Sequence, residues 1–338
     1  MLLCIEGFEG VTNIGQSVPL AEMLLSKGHY CFHPGGVWTD AGRLAGISFM
    51  DHANRGFALR YYTTNDTLII GFGYKATAWP GIGVATDILS VMDHEGNVHA
   101  LIQMYDIDEW RVVVPEGTYT TVNSSGGGAG WYYVEFKIVI SEVGSFDLKI
   151  NEVSQLDDDT IDTQANSDGY SCYALFKGTT AWRWMDDIYV CDGTGDNNND
   201  FLGACQVIAK FPDGDGSSSG FTPSAGDNHQ NVDDNPVDSD TTYNDGSNSD
   251  IDYYTYDALT ESYLVRGLQV NTTVRTTDAG SMSVQNKVQS GGFVTTGAER
   301  FLNITYSTEH DIVENDPNTD DIWTIDGINS AEFGLEVI

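Results

Sequence analysis

The sequence predicts an all-β protein assembled from antiparallel strands that stack into sandwiches. Apolar and polar residues alternate with a period of two in segments that recur from one end of the chain to the other. Glycine is abundant, with 37 residues, whereas proline is scarce, with 8, and this combination suits a protein with many tight turns. A short helical period appears only in residues 17–27, so helices contribute little to the predicted fold.

The chain is long enough and apolar enough to bury a substantial core. It has 338 residues, of which 41% are hydrophobic, and it contains 17 Tyr, 14 Phe and 7 Trp. A chain of this length typically forms two domains, or one large β domain with an extension.

The first half of the chain contains a regular succession of predicted strands. They fall at residues 56–62, 67–74, 88–93, 98–104 and 110–114. The loop His94–Asn97 has about four residues and includes a glycine, which is a common hairpin connection. We therefore expect the strands on either side of this loop to pair.

Residues 131–140 form the clearest strand. Its apolar positions Val134, Phe136 and Ile138 alternate with polar ones, so one face is predicted to be buried and the other wet. Residues 146–153 alternate in the same way, and residues 184–190 are predicted as a further strand.

A break in composition follows Lys210. Residues 211–265 contain no Lys or Arg and are rich in Asp, Asn, Ser and Gly. Such a stretch is typical of a disordered linker, but its spaced aromatic residues favour an ordered excursion. We therefore divide the chain into a sandwich domain at 1–210, an acidic ordered excursion at 211–262 and a β-rich C-terminal region at 263–338.

The charge of the chain excludes several classes of partner. It has 15 Lys and Arg against 50 Asp and Glu, giving a formal net charge of −35 and a pI near 4.1. Repulsion from phosphates argues against nucleic-acid binding and against anionic membrane surfaces. No stretch approaches the roughly 20 apolar residues that a membrane helix needs. The same charge favours solubility in salt and the capture of divalent cations.

The N-terminus and the cysteines indicate where the chain is made. Residues 1–6 lack the basic region of a secretion signal, so we expect the chain to stay where it is made or to leave only as part of a larger object. Five widely spaced cysteines do not resemble a disulfide framework or a zinc site, so we expect free thiols.

Residues 192–200 are the best candidate for a metal site. Asp192, Asp196, Asn198 and Asp200 place hard oxygen ligands at alternate positions in a loop with glycines, which is the ligand type that Ca²⁺ prefers. No Glu follows at the EF-hand spacing. The alternative is an ordinary turn-rich surface loop, since Asp and Asn are common in turns.

No catalytic constellation is evident in the sequence, so we expect a non-enzymatic protein. Asp186 and Asp187 are neighbours on a predicted strand and should point to opposite faces, one bonded to backbone and the other solvated. Asp106 and Asp108 alternate as in the carboxylate strand of jelly-roll glycoside hydrolases, but a second Glu is missing.

Several aromatic residues in predicted loops are suited either to stacking on sugar rings or to core packing. These residues are Trp38, Trp79, Trp182, Tyr243 and Trp323.

The order of segments resembles the concanavalin A-like jelly roll of legume lectins and laminin G modules. The segments that carry this resemblance are residues 5–10, 88–93, 100–104, 131–136, 144–151 and 185–190. The resemblance implies a lectin-type sandwich and supplies no catalytic or cofactor-binding residues.

Further segments resemble proteins encoded among the virion structural genes of tailed bacteriophages. They are residues 199–203, 221–224, 240–244 and 267–271. The resemblance implies a virion structural protein on the tail or tail fibres that contributes to host attachment. A capsid decoration protein and a soluble carbohydrate-binding lectin are the alternatives. The implied partners are other virion proteins, further copies of the chain in a closed oligomer, and a host-surface glycan.

Overall fold

The computed structural model divides the chain into two compact units, Met1–Ile208 and Ala209–Ile338. It describes residues 1–9, 23–32, 38–44, 46–51, 56–78, 80–106, 109–121, 130–166, 170–177, 182–277 and 280–338. Each unit is described by itself below.

The first unit contains fifteen strands among its described residues. In chain order they are β1 (Leu2–Glu6), β2 (Tyr30–Phe32), β3 (Trp38–Ala41), β4 (Ile47–Asp51), β5 (Gly56–Arg60), β6 (Thr67–Ala76), β7 (Ala85–Met92), β8 (Val98–Tyr105), β9 (Glu109–Val114), β10 (Gly117–Thr120), β11 (Tyr132–Val139), β12 (Gly144–Ile150), β13 (Val153–Ile161), β14 (Tyr173–Lys177) and β15 (Arg183–Asp192).

These strands form two antiparallel sheets. Sheet A has the order β13-β12-β11-β6-β15-β4-β3, with β1 also paired to β15, and sheet B has the order β10-β9-β8-β7-β14-β5-β2. Buried side chains from both sheets, among them Phe72, Ile102 and Phe136, form one hydrophobic core. The predicted all-β sandwich is confirmed, and so is the β7–β8 hairpin, in which Val91 pairs with Ala100.

Sheet B follows the simple alternation that its sequence predicts. Ile102 and Met104 of β8 and Trp110 and Val112 of β9 are buried in the core, while the residues between them are half-buried. Since neighbouring side chains on a strand point to opposite faces, the half-buried set lies on the outer face of sheet B.

The centre of sheet A is buried on both faces. Every residue of β15 is buried, as are nearly all residues of β6. Gly71 and Gly73 lie inside β6, where Tyr189 crosses Gly71 and the side chain of Arg43 crosses Gly73. These glycines leave room for side chains that cover the sheet.

The second unit is built around a third sheet. Its strands are β16 (Pro212–Ser219), β17 (Thr222–Pro223), β18 (Asn244–Asp245), β19 (Ile251–Tyr256), β20 (Leu268–Val274), β21 (Ser283–Ser290), β22 (Phe293–Thr296), β23 (Arg300–Phe301), β24 (Ser307–Val313), β25 (Asn315–Asp316), β26 (Asp321–Ile322) and β27 (Glu332–Val337). Sheet C has the order β16-β19-β27-β21-β22, with β23 also on β21. A 3-10 helix at Asn228–Asn231 and an α-helix at Ile325–Ser330 complete the unit.

Small apolar clusters pack on sheet C, around Trp323 with Phe333 and around Phe221 with Leu335. Asp252 is fully buried in this unit and accepts hydrogen bonds from Phe221 N, Asn228 Nδ2 and the Tyr254 hydroxyl. Within the residues described here, no helix is both long and apolar enough to cross a membrane.

Candidate functional site

The outer face of sheet B carries a line of polar side chains that crosses five neighbouring strands. It consists of Thr120 on β10, Arg111 on β9, Gln103 on β8, Asp87 on β7 and Lys177 on β14, and we call it the polar row. The register places Thr120 opposite Arg111, Arg111 opposite Gln103, and Gln103 opposite Asp87. Antiparallel pairing therefore aligns residues that are far apart in the sequence.

One half of the polar row is organised around Asp87. Gln103 Nε2 donates to Asp87 Oδ1 at 2.6 Å, and Lys177 Nζ lies 3.0 Å from Asp87 Oδ2. Each carboxylate oxygen thus has its own partner, which holds the amide and the ammonium group in fixed positions. The carbonyl oxygen of the Gln103 side-chain amide, Oε1, is not engaged by this contact.

The other half of the polar row is organised around Arg111. Its Nε donates to Thr120 Oγ1 at 3.3 Å, and its guanidinium carbon lies 3.3 Å from the centre of the Tyr105 ring. Across the described residues, no carboxylate forms an ion pair with Arg111. In a chain with a net charge of −35, a half-buried arginine without such a partner is a notable feature of this face.

A buried hydroxyl lies beside the polar row. Ser90 of β7 pairs with Leu101 and with Leu175, and it is fully buried. Its Oγ has no hydrogen-bond partner among the described residues. Native proteins pair nearly all buried polar atoms, so this hydroxyl is an exception, and its burial keeps it out of reach of a molecule bound on the surface.

Sheet A carries a second group of charged residues, in which Arg43 contacts both Asp186 and Asp187. Arg43 N donates to Asp186 Oδ2 at 2.6 Å, and Arg43 Nε donates to Asp187 Oδ2 at 2.8 Å. Both carboxyl groups are buried, so the expectation that one of them is solvated is wrong. The cause is a bulge in β15 after Asp186, with Asp187 at a φ of 51°, which interrupts the alternation of side chains.

A segment that covers the outer side of sheet A is held by hydrogen bonds to acidic side chains. This segment, residues 202–207, is called the strap. Gly203 N donates to Glu135 Oε1 at 2.9 Å, Ala204 N to Glu152 Oε1 at 3.2 Å, and Val207 N to Asp187 Oδ1 at 2.8 Å. The three carboxylates therefore accept hydrogen bonds from backbone amides and hold the strap against the sheet.

Burial shifts the ionisation of two acids in this group. It raises the pKa of Asp186 to about 8, and the nearby charge of Asp187 adds to the rise. Burial also raises the pKa of Glu9 to about 7, with further contributions from Asp187 and Glu6. Burial and nearby negative charge both disfavour the ionised form of a carboxyl group, so these two acids hold their protons to a higher pH than usual.

The predicted calcium ligands contact separate partners. Asp192 is buried, and its oxygens accept hydrogen bonds from Thr194 N at 3.0 Å and from Thr63 Oγ1 at 2.8 Å. Burial alone would raise its pKa, but these hydrogen bonds lower the pKa below its usual value. Asp200 instead lies 3.0 Å from Lys137 Nζ.

The remaining two predicted ligands lie on the loop between them. Asp196 is exposed, and Asn198 has a φ of 50°. In the part of the chain that the structure describes, no group of three or more His, Cys, Asp or Glu side chains is placed to hold a metal ion. Calcium binding by this loop stays a prediction.

The aromatic candidates have different environments. Trp323 is 2% exposed and its indole nitrogen donates to Val313 O, so it belongs to the core. Trp182 and Tyr243 are 37% and 46% exposed and are accessible to a ligand. The side chain of Trp38, all of Trp79 and the predicted acid Asp108 lie outside the described residues.

No protein-family model and no curated protein sequence matches the chain. Solved structures with a similar arrangement of strands include the endo-β-1,4-glucuronan lyase of the fungus Trichoderma reesei, with 12% identity over 46% of this chain and 85% of that one, at a TM-score of 0.36. They also include the carbohydrate esterase of the Shiga toxin-encoding bacteriophage phi24B, with 10% identity over 55% of this chain and 98% of that one, at a TM-score of 0.39. A third is alginate lyase Aly36B, with 8% identity over 56% and 96% of the two chains, at a TM-score of 0.39.

These comparisons correct the expectation of a non-enzymatic protein. The similar structures are polysaccharide lyases and a carbohydrate esterase. At identities of 8–12% the likeness concerns the fold alone, and no residue role is transferred to this chain.

Proposed function

We propose that the outer face of sheet B binds an extended polysaccharide along the polar row. The observation that supports this most directly is the alignment of five hydrogen-bonding side chains on consecutive strands. Strands lie about 4.8 Å apart, so the row spans roughly 19 Å, which is long enough to contact several sugar units of one chain.

Sugars that carry carboxylate groups fit this face best. Arg111 has no ion-pair partner among the described residues, and its guanidinium is fixed by Thr120 and by the Tyr105 ring. A planar guanidinium held in this way is suited to a carboxylate, with which it forms paired hydrogen bonds. The strongly acidic chain repels polyanions in general, so specificity would depend on this local cation.

The test is a calorimetric titration with neutral and carboxylated oligosaccharides of increasing length. We expect affinity that rises with length until the row is filled, and that is highest for the carboxylated series. Arg111→Ala should weaken binding by about 10-fold to 100-fold, since a hydrogen bond to a charged group contributes about 1.5–3 kcal/mol. Lys137→Ala is the matched control, because it removes the same charge from sheet A. Absence of binding throughout the panel, or equal binding by the Arg111 variant, contradicts the proposal.

A second candidate function is cleavage of the bound polysaccharide at the same place. It is favoured by the contact between Arg111 and Tyr105, which combines a cation with a side chain that can transfer a proton. A sugar carboxylate beside Arg111 would have its charge neutralised, which assists transfer of the adjacent ring proton to the Tyr105 oxygen. The bond from the next ring carbon to the glycosidic oxygen then breaks, a carbon–carbon double bond forms, and the departing oxygen takes a proton from water. Incubation with carboxylated polysaccharides, followed by ultraviolet absorbance for unsaturated products, tests it. Turnover should be lost in Tyr105→Phe, whereas unchanged turnover in that variant would exclude this role.

The chain is further proposed to be an exposed component of a tailed-bacteriophage particle, on the tail or tail fibres, where saccharide binding would serve host attachment. Support comes from the resemblance of residues 199–203, 221–224, 240–244 and 267–271 to phage structural proteins. Mass spectrometry of purified particles tests this location. Copy numbers in the tens per particle support the tail, hundreds support a capsid decoration protein, and absence from the particle leaves the soluble lectin.

A further inference from the structure

A small pocket lies on the opposite side of the sandwich from the polar row. It has a volume of about 200 Å³ and is formed where β11 begins and where the β12–β13 hairpin turns. Its lining includes Arg43, Trp131, Asn151, Glu152 and Ala204. Pockets for drug-sized ligands have volumes of roughly 300–1,000 Å³, so this one fits a single small ring.

The hairpin turn that forms one wall has an unfavourable backbone. Asn151 has a φ of 50° and Glu152 a φ of 66°, both in the left-handed region. Glycine usually occupies the second position of such a turn, so a glutamate there carries a conformational cost. Costs of this kind tend to be retained where the side chain has a specific task.

Both side chains of this turn are held in place by backbone donors. Asn151 Oδ1 accepts from Tyr133 N at 2.9 Å, and Glu152 Oε1 accepts from Ala204 N at 3.2 Å. The side-chain nitrogen Nδ2 of Asn151 and the second carboxylate oxygen Oε2 of Glu152 have no hydrogen-bond partner among the described residues. A hydrogen-bond donor and an acceptor are therefore presented side by side in fixed positions.

The other wall combines an aromatic ring with a neutralised cation. Trp131 is half-buried, so part of its indole surface is accessible. Arg43 lies 4.8 Å from the centre of the Tyr133 ring and is paired with Asp187 at 2.8 Å. Because Asp187 balances the charge of Arg43, the described residues that line the pocket offer no unpaired cation to a carboxylate ligand, and the exposed Glu152 disfavours one. Lys75 Nζ lies 5.7 Å from the centre of the Trp131 ring but does not line the pocket.

We infer that this pocket is a second saccharide site, specific for an uncharged pyranose unit. The apolar face of a pyranose ring suits the indole of Trp131, and two adjacent hydroxyls suit the donor and acceptor of Asn151 and Glu152. The site is independent of the polar row, since it lies on the other sheet and contains none of the same residues.

Saturation-transfer difference NMR on the full chain tests this inference. The probes are methyl glucopyranoside, methyl galactopyranoside and N-acetylglucosamine, with glucuronate as the charged comparison. We expect transfer to at least one neutral sugar and much weaker transfer to glucuronate. Trp131→Ala should weaken the affinity about 10-fold, as expected when an aromatic contact of about 1–1.5 kcal/mol is lost.

The matched control is Trp182→Ala, which removes an exposed tryptophan that does not line the pocket. Asn151→Ala provides a second variant, and the melting temperature of each variant shows whether it folds. Transfer that survives in Trp131→Ala and Asn151→Ala, or no transfer to any neutral sugar, overturns the inference. Arg111→Ala should leave this signal intact, so failure here is distinguishable from failure of the proposed function.

Discussion

The hydroxyl of Tyr189 donates to Glu135 Oε1 at 2.5 Å and accepts a hydrogen bond from Leu202 N at 3.2 Å. This position requires the ring of Tyr189 to lie directly on the backbone of Gly71. Tyr189 therefore joins the central strand of sheet A to the strap, and the absence of a side chain at residue 71 makes this contact possible.

We predict that Gly71→Ala lowers the free energy of unfolding by about 1–3 kcal/mol, the usual cost of adding a methyl group to a packed interior. The added carbon would collide with the Tyr189 ring. Gly81→Ala is the matched control, because its nearest neighbour would be Val84 Cγ2 at 3.9 Å. Denaturant titration measures both variants, and equal stability of the two would contradict the packing argument.

Stability should fall as the pH rises from 5 towards 9. The folded-state pKa values of Glu9, about 7, and Asp186, about 8, lie above their ordinary values. The folded state therefore binds more protons than the unfolded chain, and the stabilisation is lost as the pH rises through the folded pKa values. Thermal scans across this range should show a decrease that is smaller in Glu9→Gln. The exposed Glu142→Gln is the control, and an equal slope in all three proteins would refute this assignment.

In the second unit, Asp252→Ala should lower stability by at least about 3 kcal/mol. The carboxylate accepts three buried hydrogen bonds, and each unsatisfied donor costs about 1–3 kcal/mol. The exposed Asp245→Ala is the comparison, with an expected change within about 0.5 kcal/mol. Chemical denaturation of the full chain measures both, and a small effect of the Asp252 change would show that these bonds contribute little.

The loop of residues 192–200 is the predicted calcium site. If the loop binds the ion, millimolar calcium should raise the melting temperature by several degrees, since a ligand of the native state stabilises it. Asp196→Ala should remove this shift, because Asp196 is exposed and its loss should leave the fold intact. Identical calorimetric scans in EDTA and in calcium would eliminate the hypothesis.

The fold class followed from local patterns, whereas the two proposed binding surfaces depend on contacts distant in sequence. Alternation at residues 131–140 and the glycine in the loop 94–97 each report on a single strand or turn, and the strand and the hairpin are confirmed. The expectation of a wet outer face on the first of these is wrong, because Tyr133 and Glu135 are buried there. The alternation of apolar and polar residues also predicts that Gln103 and Arg111 lie on the face of their strands that points away from the core. Their alignment with Asp87 depends on strand register, however, and no short segment encodes it.

The acidic group on sheet A shows a different limit of sequence reasoning. Strict alternation placed Asp186 and Asp187 on opposite faces, but the bulge turns Asp187 towards Arg43. Arg43 is distant in the sequence from both acids, so nothing in the local pattern indicates that it pairs with them. The glycines of β6 were the available signal, since a glycine inside a strand often marks close approach by another group.

Two-sided burial of β6 and β15 has a consequence for how the first unit opens. Strands covered above and below release their amide protons only when most of the surrounding structure separates, so their hydrogen exchange should be the slowest in the unit. Edge strands such as β10 and β13 can fray and reform without disturbing that centre. Substitutions at the rims can therefore accumulate while the central pair preserves the architecture.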